Sequence, residues 1–97
     1  MTGFQKQCLS TITQVLNDKQ LTNVLTFRKV SGKQEEYLIA EGMLGNMNCE
    51  IYIYVDEAGL MIGNKWFLCE RAAYRNQQVL ITAFSKLLAE KLPAKSF

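Results

Sequence analysis

Three cysteines and two pairs of neighbouring acids are the side chains of this 97-residue chain whose chemistry could support catalysis or metal binding. They are Cys8, Cys49 and Cys69, the pair Glu35 and Glu36, and the pair Asp56 and Glu57. A cysteine nucleophile needs an adjacent base or cationic help, and the chain has no histidine, the commonest general base and metal ligand. Neighbouring residues of an extended chain point to opposite faces, so neither acid pair aims two carboxylates at one reacting atom. The sequence therefore predicts no catalytic, cofactor-binding or metal site, no small-molecule substrate and no enzymatic activity.

The cysteines instead fit a hydrophobic core. Each lies on an apolar stripe, their number is odd and their spacing is wide, which is typical of reduced thiols rather than of a secreted disulfide framework. No apolar run reaches the length of a membrane span, and the first residues lack a basic region followed by an apolar segment. We therefore expect a cytoplasmic protein without a membrane segment.

The stretch from residue 48 to residue 70 reads as the centre of an antiparallel sheet. Its first half alternates strictly: Cys49, Ile51, Ile53 and Val55 fall on one face, and Glu50, Tyr52 and Tyr54 on the other. Such alternation predicts a strand with one buried face.

The turn after Val55 has two interpretations. In the first, residues 56–59 form a type I turn ending in glycine, so that Tyr54 faces Ile62, Tyr52 faces Asn64, and Cys49 can approach Cys69. In the second, Gly59 is a bulge in a longer strand and the turn lies at residues 63–64. Turn chemistry favours the first, since all four residues then occupy preferred positions.

The elements on either side complete the fold. Thr2 and Gln5 form a capping box before the helical stripe Phe4, Cys8, Ile12, Val15 and Leu16. β-branched and aromatic residues predict strands at 21–30 and 36–44. A second helix is predicted either after an N-cap at Asn76 or from an earlier start within residues 71–73, with Pro93 ending it. Its stripe is Val79, Leu80, Ala83, Phe84, Leu87, Leu88 and Leu92.

The predicted architecture is one α+β domain over residues 1–97. It is a two-layer sandwich in the order helix, four-stranded antiparallel meander, helix, with both helices on one face of the sheet, because two amphipathic helices need one apolar surface.

The net charge of +2 is unevenly distributed. Residues 1–33 carry +4, residues 34–64 carry −6 with no basic residue, and residues 65–97 carry +4. The acidic middle and basic ends predict attraction within the fold and a surface that stays soluble.

The sheet face left open by the helices is where a function is expected. If the helices cover Ile51 and Ile53, the other face presents Tyr52 and Tyr54, joined in the first turn interpretation by Ile62 and Trp66. Apolar and aromatic patches bordered by charge mark protein interfaces. We therefore predict a non-enzymatic protein-interaction module, adaptor- or chaperone-like, that binds a protein partner or a second copy of itself through these four residues.

The alternative prediction is a small regulatory protein that contacts nucleic acid through its basic N- and C-terminal segments. On the sheet itself, Glu50 shares a face with the tyrosines and would repel a phosphate backbone.

Overall fold

The computed structural model describes residues 1–33 and 35–94. Its elements are α1 (Gly3–Asp18), β1 (Thr26–Ser31), β2 (Glu36–Leu44), β3 (Met47–Ile53), β4 (Ala58–Ile62), β5 (Lys65–Cys69), a 3₁₀ turn (Arg71–Ala73) and α2 (Gln77–Lys91). The strands form one antiparallel meander in the order β1-β2-β3-β4-β5. The helices pack against each other, α1 on β3 and α2 on β4 and β5. The predicted α+β fold, with both helices on one face, is confirmed.

The sheet has five strands, and the prediction of four is corrected. The two interpretations were alternatives, but the chain turns near both of the proposed places. The Tyr54 N–H donates to the Glu57 carbonyl over 2.8 Å, which closes the turn between β3 and β4. The second turn joins β4 to β5 through Gly63 and Asn64. Gly63 has a φ of 61° and Asn64 a negative φ, which suits a two-residue hairpin turn with glycine at its first position.

This pair of turns also corrects the predicted register. The 56–59 interpretation placed Tyr52 opposite Asn64, whereas Tyr52 lies opposite Gly59 and Ile53 lies opposite Ala58. Gly59 is neither a turn residue nor a bulge, because it sits inside β4 between Tyr52 and Leu68. β4 begins at Ala58, inside the predicted turn, so the partner of Tyr52 moves by five residues, from Asn64 to Gly59. A shift by an odd number of residues reverses the face of each later residue on β4.

The first predicted strand is too long at its start. Residues 21–25 form turns beneath the sheet, and β1 begins at Thr26. Helix α1 ends next to Gln20, whose φ of 60° turns the chain, and the Leu21 N–H then donates to the Leu16 carbonyl over 2.7 Å. Leu21 and Leu25 are buried there. Their apolar character reflects loop packing rather than strand structure.

The predicted start of α1 and the later of the two predicted starts of α2 are confirmed, and α2 ends at Lys91, before Pro93. Residues 71–73 form the separate 3₁₀ turn. Thr2 caps α1, with the full capping box to Gln5, and the Asn76 side chain accepts from the Val79 N–H at the start of α2. The Gln5 side chain is buried and donates through Nε2 to the Glu36 carbonyl over 2.9 Å, which ties α1 to the beginning of β2.

The core lies between the helices and one face of the sheet. It takes the whole predicted stripe of α1 and most of the predicted stripe of α2. The α2 prediction is corrected at three residues: Val79 and Ala83 lie outside the core, and Ile81 is buried in it. The core also takes alternate residues of the central strands, among them Leu38, Ala40, Cys49, Ile51, Ile53, Ala58 and Leu60. The helices therefore cover the Ile51 and Ile53 face. The opposite face carries the alternate set of side chains.

Candidate protein-binding face

Four aromatic rings lie in contact on the sheet face opposite the helices. Tyr37 packs on Tyr54 with ring centroids 5.4 Å apart, and Tyr54 stacks on Tyr52 at 5.9 Å. Trp66 then meets Tyr52 edge-on at 5.4 Å. These separations are typical of favourable aromatic pairs. We call these four residues, Tyr37, Tyr52, Tyr54 and Trp66, the aromatic platform.

The strand register explains why the platform forms. Tyr52 is flanked by Ile39 on β2 and Gly59 on β4, and Gly59 is flanked by Leu68 on β5. Gly59 has no side chain on the open face, and the six-membered ring of Trp66 occupies the space that its Cβ would need. The glycine therefore lets an edge-strand tryptophan reach across β4 to the centre of the sheet.

Acidic residues border the platform. The Tyr52 hydroxyl donates to Oε2 of Glu50. This hydrogen bond raises the pKa of Tyr52 to about 12, with smaller contributions from burial and from the Glu50 charge, because all three favour the neutral phenol. Farther along the same face, the Arg28 guanidinium lies 2.7 Å from Glu41. The hydroxyl of Tyr52 is thus held as a donor, and its ring is fixed beside a carboxylate.

Burial is the main cause of the raised pKa of Tyr54, followed by the nearby Tyr37, Glu57 and Glu35. Tyr54 is half-buried by its neighbours, whereas Trp66 is 42% exposed. The platform therefore offers large ring surfaces to a partner, and contacts between neighbouring rings hold these side chains in place.

Three of the four predicted partner-binding residues are brought together, and one is not. Tyr52, Tyr54 and Trp66 belong to the platform. Ile62 lies opposite Cys49 and packs against the core on the helix-covered face. Its predicted place is corrected for the same reason as the register, since the earlier end of the turn reverses the face on which Ile62 points.

Tyr37 is the platform residue that the predicted site omits. A signal for it exists, because the alternation of β2 puts Tyr37 and Ile39 on one face. What the sequence lacks is the pairing that aligns this face with that of Tyr52. Ile39 lies opposite Tyr52 in the sheet.

The cysteines lie away from the platform, and all three are free and buried. Burial raises the pKa of the Cys8 thiol from 9.0 to about 12, with a smaller effect from Cys69. The pKa of the Cys49 thiol is raised from 9.0 to about 11, mainly by burial and to a smaller extent by the Glu50 charge. Cys49 and Cys69 do not approach across a hairpin as the first turn interpretation allowed: their β4 partners are Ile62 and Ala58. Thiols kept protonated in a core are poor nucleophiles.

Within residues 1–33 and 35–94, no group of three or more cysteine or acidic side chains is arranged to hold a metal ion. Over the same residues, neither helix is long and apolar enough to cross a membrane. Comparison of the chain with protein-family models, with curated proteins and with solved structures finds no match.

Proposed function

We propose that this chain is a non-enzymatic protein-binding module, adaptor- or chaperone-like, whose contact surface is the aromatic platform. The observation that carries the proposal is the continuous row of four rings on the face that the helices leave open. Tyrosine and tryptophan contribute large rigid surfaces at small entropic cost, and they dominate the energetics of many interfaces.

The border of the platform indicates what kind of partner fits. Glu50 lies beside Tyr52, and Glu57 contributes to the raised pKa of Tyr54, so acids border the two central rings. On the β1 side of the same face, Arg28 pairs with Glu41. A partner segment that combines apolar side chains with a lysine or arginine would match both features. The three buried free thiols are in keeping with a cytoplasmic setting, where thiols stay reduced.

The nucleic-acid alternative has weaker support from the geometry. Arg28 lies 2.7 Å from Glu41, and Lys29 lies 3.5 Å from Glu36, so two of the N-terminal basic residues are already next to acids. If the alternative holds, DNA or RNA is retarded at low salt and released steeply as salt rises. A protein contact through tyrosine and tryptophan rings responds weakly to salt.

Site-specific photo-crosslinking tests the proposed function. A photoreactive phenylalanine analogue placed at Tyr54 in the native cells should form a discrete adduct with another polypeptide, identified by mass spectrometry. The matched control is the same analogue at Gln7, an exposed residue of α1 on the opposite side of the molecule.

An adduct at position 54 that is absent at position 7, and that is lost on Trp66→Ala, is the expected result. Adducts of equal yield at both positions, or none at position 54, would contradict the proposal.

A further inference from the structure

The two edges of the sheet differ in how they are protected. β1 carries Arg28 and Lys29 side by side, one on each face and both exposed. Charged side chains on an edge strand, above all on both of its faces, oppose pairing with another strand. β5 has a charge only at its first residue, Lys65, followed by Trp66, Phe67 and Leu68. On the helix-covered face, Lys91 of α2 places its Nζ 5.1 Å from the centroid of the Phe67 ring. The centre of the β5 edge therefore has no charge on the open face, whereas β1 carries a charge on both faces.

The free backbone groups of β5 belong to its apolar residues. In a two-residue hairpin the residues that flank the turn form a hydrogen-bonded pair, and bonded and non-bonded pairs then alternate. Ile62 and Lys65 flank the turn, so Lys65, Phe67 and Cys69 bond to β4. The N–H and C=O groups of Trp66 and Leu68 consequently point outward along the edge, ready to pair with another strand.

We propose that β5 pairs with β5 of a second copy of this chain, antiparallel and about a two-fold axis through Phe67. This register places Trp66 opposite the second copy's Leu68, and Leu68 opposite the second copy's Trp66, so the outward backbone groups of both pairs bond to each other. Shifting the strands by two residues in either direction would put Trp66 opposite Glu70, or Leu68 opposite Asn64. Only the central register keeps the apolar residues together. It sets no like charges of β5 opposite each other, although the Lys91 over each Phe67 ring comes near the axis.

The second layer of the molecule is complementary to the same two-fold axis. A groove of about 540 Å³ runs along this edge between β5 and α2, and its helix side is lined by Ala83, Lys86, Leu87 and Glu90. The axis makes the two α2 helices antiparallel. Lys86 of each copy comes within reach of Glu90 of the other when the axis crosses α2 at residue 88, next to the groove residue Leu87. A lysine and a glutamate one turn apart are self-complementary in this arrangement. This charge match favours a second copy over an unrelated strand.

The spacing of the helices agrees with this geometry. α2 packs on β4 and β5, and neighbouring strands lie about 4.8 Å apart. A helix above the middle of these two strands lies about 5 Å from the two-fold axis, so α2 of the two copies would be about 10 Å apart, close to the distance of packed helices. Strand pairing and helix packing can therefore be satisfied at once.

The dimer does not depend on the proposed function. Its surface shares Trp66 with the aromatic platform, but Tyr37, Tyr52 and Tyr54 lie on β2 and β3, away from the β5 edge. It would join two five-stranded sheets into one and bring the two aromatic platforms side by side on the same face.

Sedimentation velocity over a range of protein concentrations tests the dimer. The wild-type chain should be dimeric at high micromolar concentration, and Leu68→Lys should be monomeric because it places a charge in the centre of the interface. Phe27→Lys is the matched control: Phe27 and Leu68 are each 39% exposed on an edge strand, but Phe27 lies on β1. Phe27→Lys should remain dimeric, and circular dichroism should show both variants folded.

A charge exchange on α2 gives a second test that leaves β5 intact. Lys86→Glu should raise the dissociation constant of the dimer about tenfold, because each glutamate then faces a like charge in two symmetric places. Lys86→Glu combined with Glu90→Lys should restore the wild-type value to within about twofold, since the pair is only reversed. A monomeric wild-type chain, equal effects of Leu68→Lys and Phe27→Lys, or no rescue by the double exchange would each overturn the proposal. A wild-type chain that is monomeric but still forms the crosslink at position 54 would overturn the dimer and leave the proposed function standing.

Discussion

At the scale of single residues, burial rather than a neighbouring base governs the thiols. Cys8 and Cys49 have raised pKa values, about 12 and about 11, because the core disfavours a thiolate. In the unfolded chain the same thiols are in water and ionise near their ordinary value of 9.0. The unfolded state therefore releases these protons first as the pH rises.

This difference predicts that stability is lost on the alkaline side. A raised pKa in the folded state gives a contribution that is complete below the unfolded pKa and is lost as the pH rises above it. The free energy of unfolding from urea melts should stay level up to about pH 8 and fall above about pH 9. Lysine and tyrosine titrate there too, so the comparison is with the double variant Cys8→Ala and Cys49→Ala, whose decline should be shallower. Equal slopes for the two proteins would show that the thiols are not responsible.

At the scale of elements, two glycines set how closely neighbouring parts approach. A Cβ on Gly42 would meet the backbone carbonyl of Val24 and lie 3.1 Å from Leu25, so the buried loop rests directly on β2. A Cβ on Gly59 would meet the outer atoms of the Trp66 ring. The first neighbour is backbone, and the second is the far end of an exposed side chain that can turn away.

We therefore predict that the same substitution destabilises the fold at Gly42 but not at Gly59. Gly42→Ala should destabilise the fold by about 1 to 3 kcal/mol, because the loop must move to relieve the overlap. Gly59→Ala should change stability little, since a displaced ring offsets the better strand propensity of alanine, but it should shift the fluorescence of Trp66 to longer wavelength. Urea melts and emission spectra of both variants decide the matter. An unchanged spectrum for Gly59→Ala would show that the ring does not lie over Gly59 in solution.

The helices could be predicted from the sequence because their signals are local. Thr2 with Gln5 and Asn76 with Val79 fix the starts within one turn, and the stripe of each helix repeats over four turns. The same holds for the alternation of Tyr37 with Ile39 and of Tyr52 with Tyr54, which assigns faces within a strand. Three of the four platform residues, Tyr52, Tyr54 and Trp66, were therefore predicted from the sequence.

Pairing between strands could not be predicted, because it depends on where each turn closes. Asp56 and Gly59 looked like the two ends of one turn, yet the hydrogen bond runs from Tyr54 to Glu57. The resulting five-residue shift of the register misplaced Ile62. The alignment of Tyr37 with the platform depends on a different pairing, that of β2 with β3. The sequence pattern also could not show that Leu21 and Leu25 lie in a buried loop, because buried loops and strands use the same apolar residues.

At the scale of the whole molecule, the uneven charge of the sequence is partly paired within the sheet. Arg28 and Lys29 from the basic N-terminal third lie beside Glu41 and Glu36 from the acidic middle. All four side chains are well exposed, and exposed pairs contribute little to stability. The fold must therefore be held mainly by the apolar layer between helices and sheet.

Phe84 is the residue through which that layer should be tested. It is 1% exposed, the bulkiest of the fully buried side chains, and it lies on α2, which packs on α1, β4 and β5. Replacing a buried phenylalanine by alanine typically costs about 3 to 5 kcal/mol, against roughly 5 to 15 kcal/mol for a whole domain. Phe84→Ala should thus unfold the protein or leave it barely stable in urea melts at one protein concentration. Gln78→Ala, an exposed change in the first turn of the same helix, should alter stability by no more than about 0.5 kcal/mol. If Phe84→Ala were as stable as the parent and instead failed to associate, α2 would present that face to a partner rather than to the sheet.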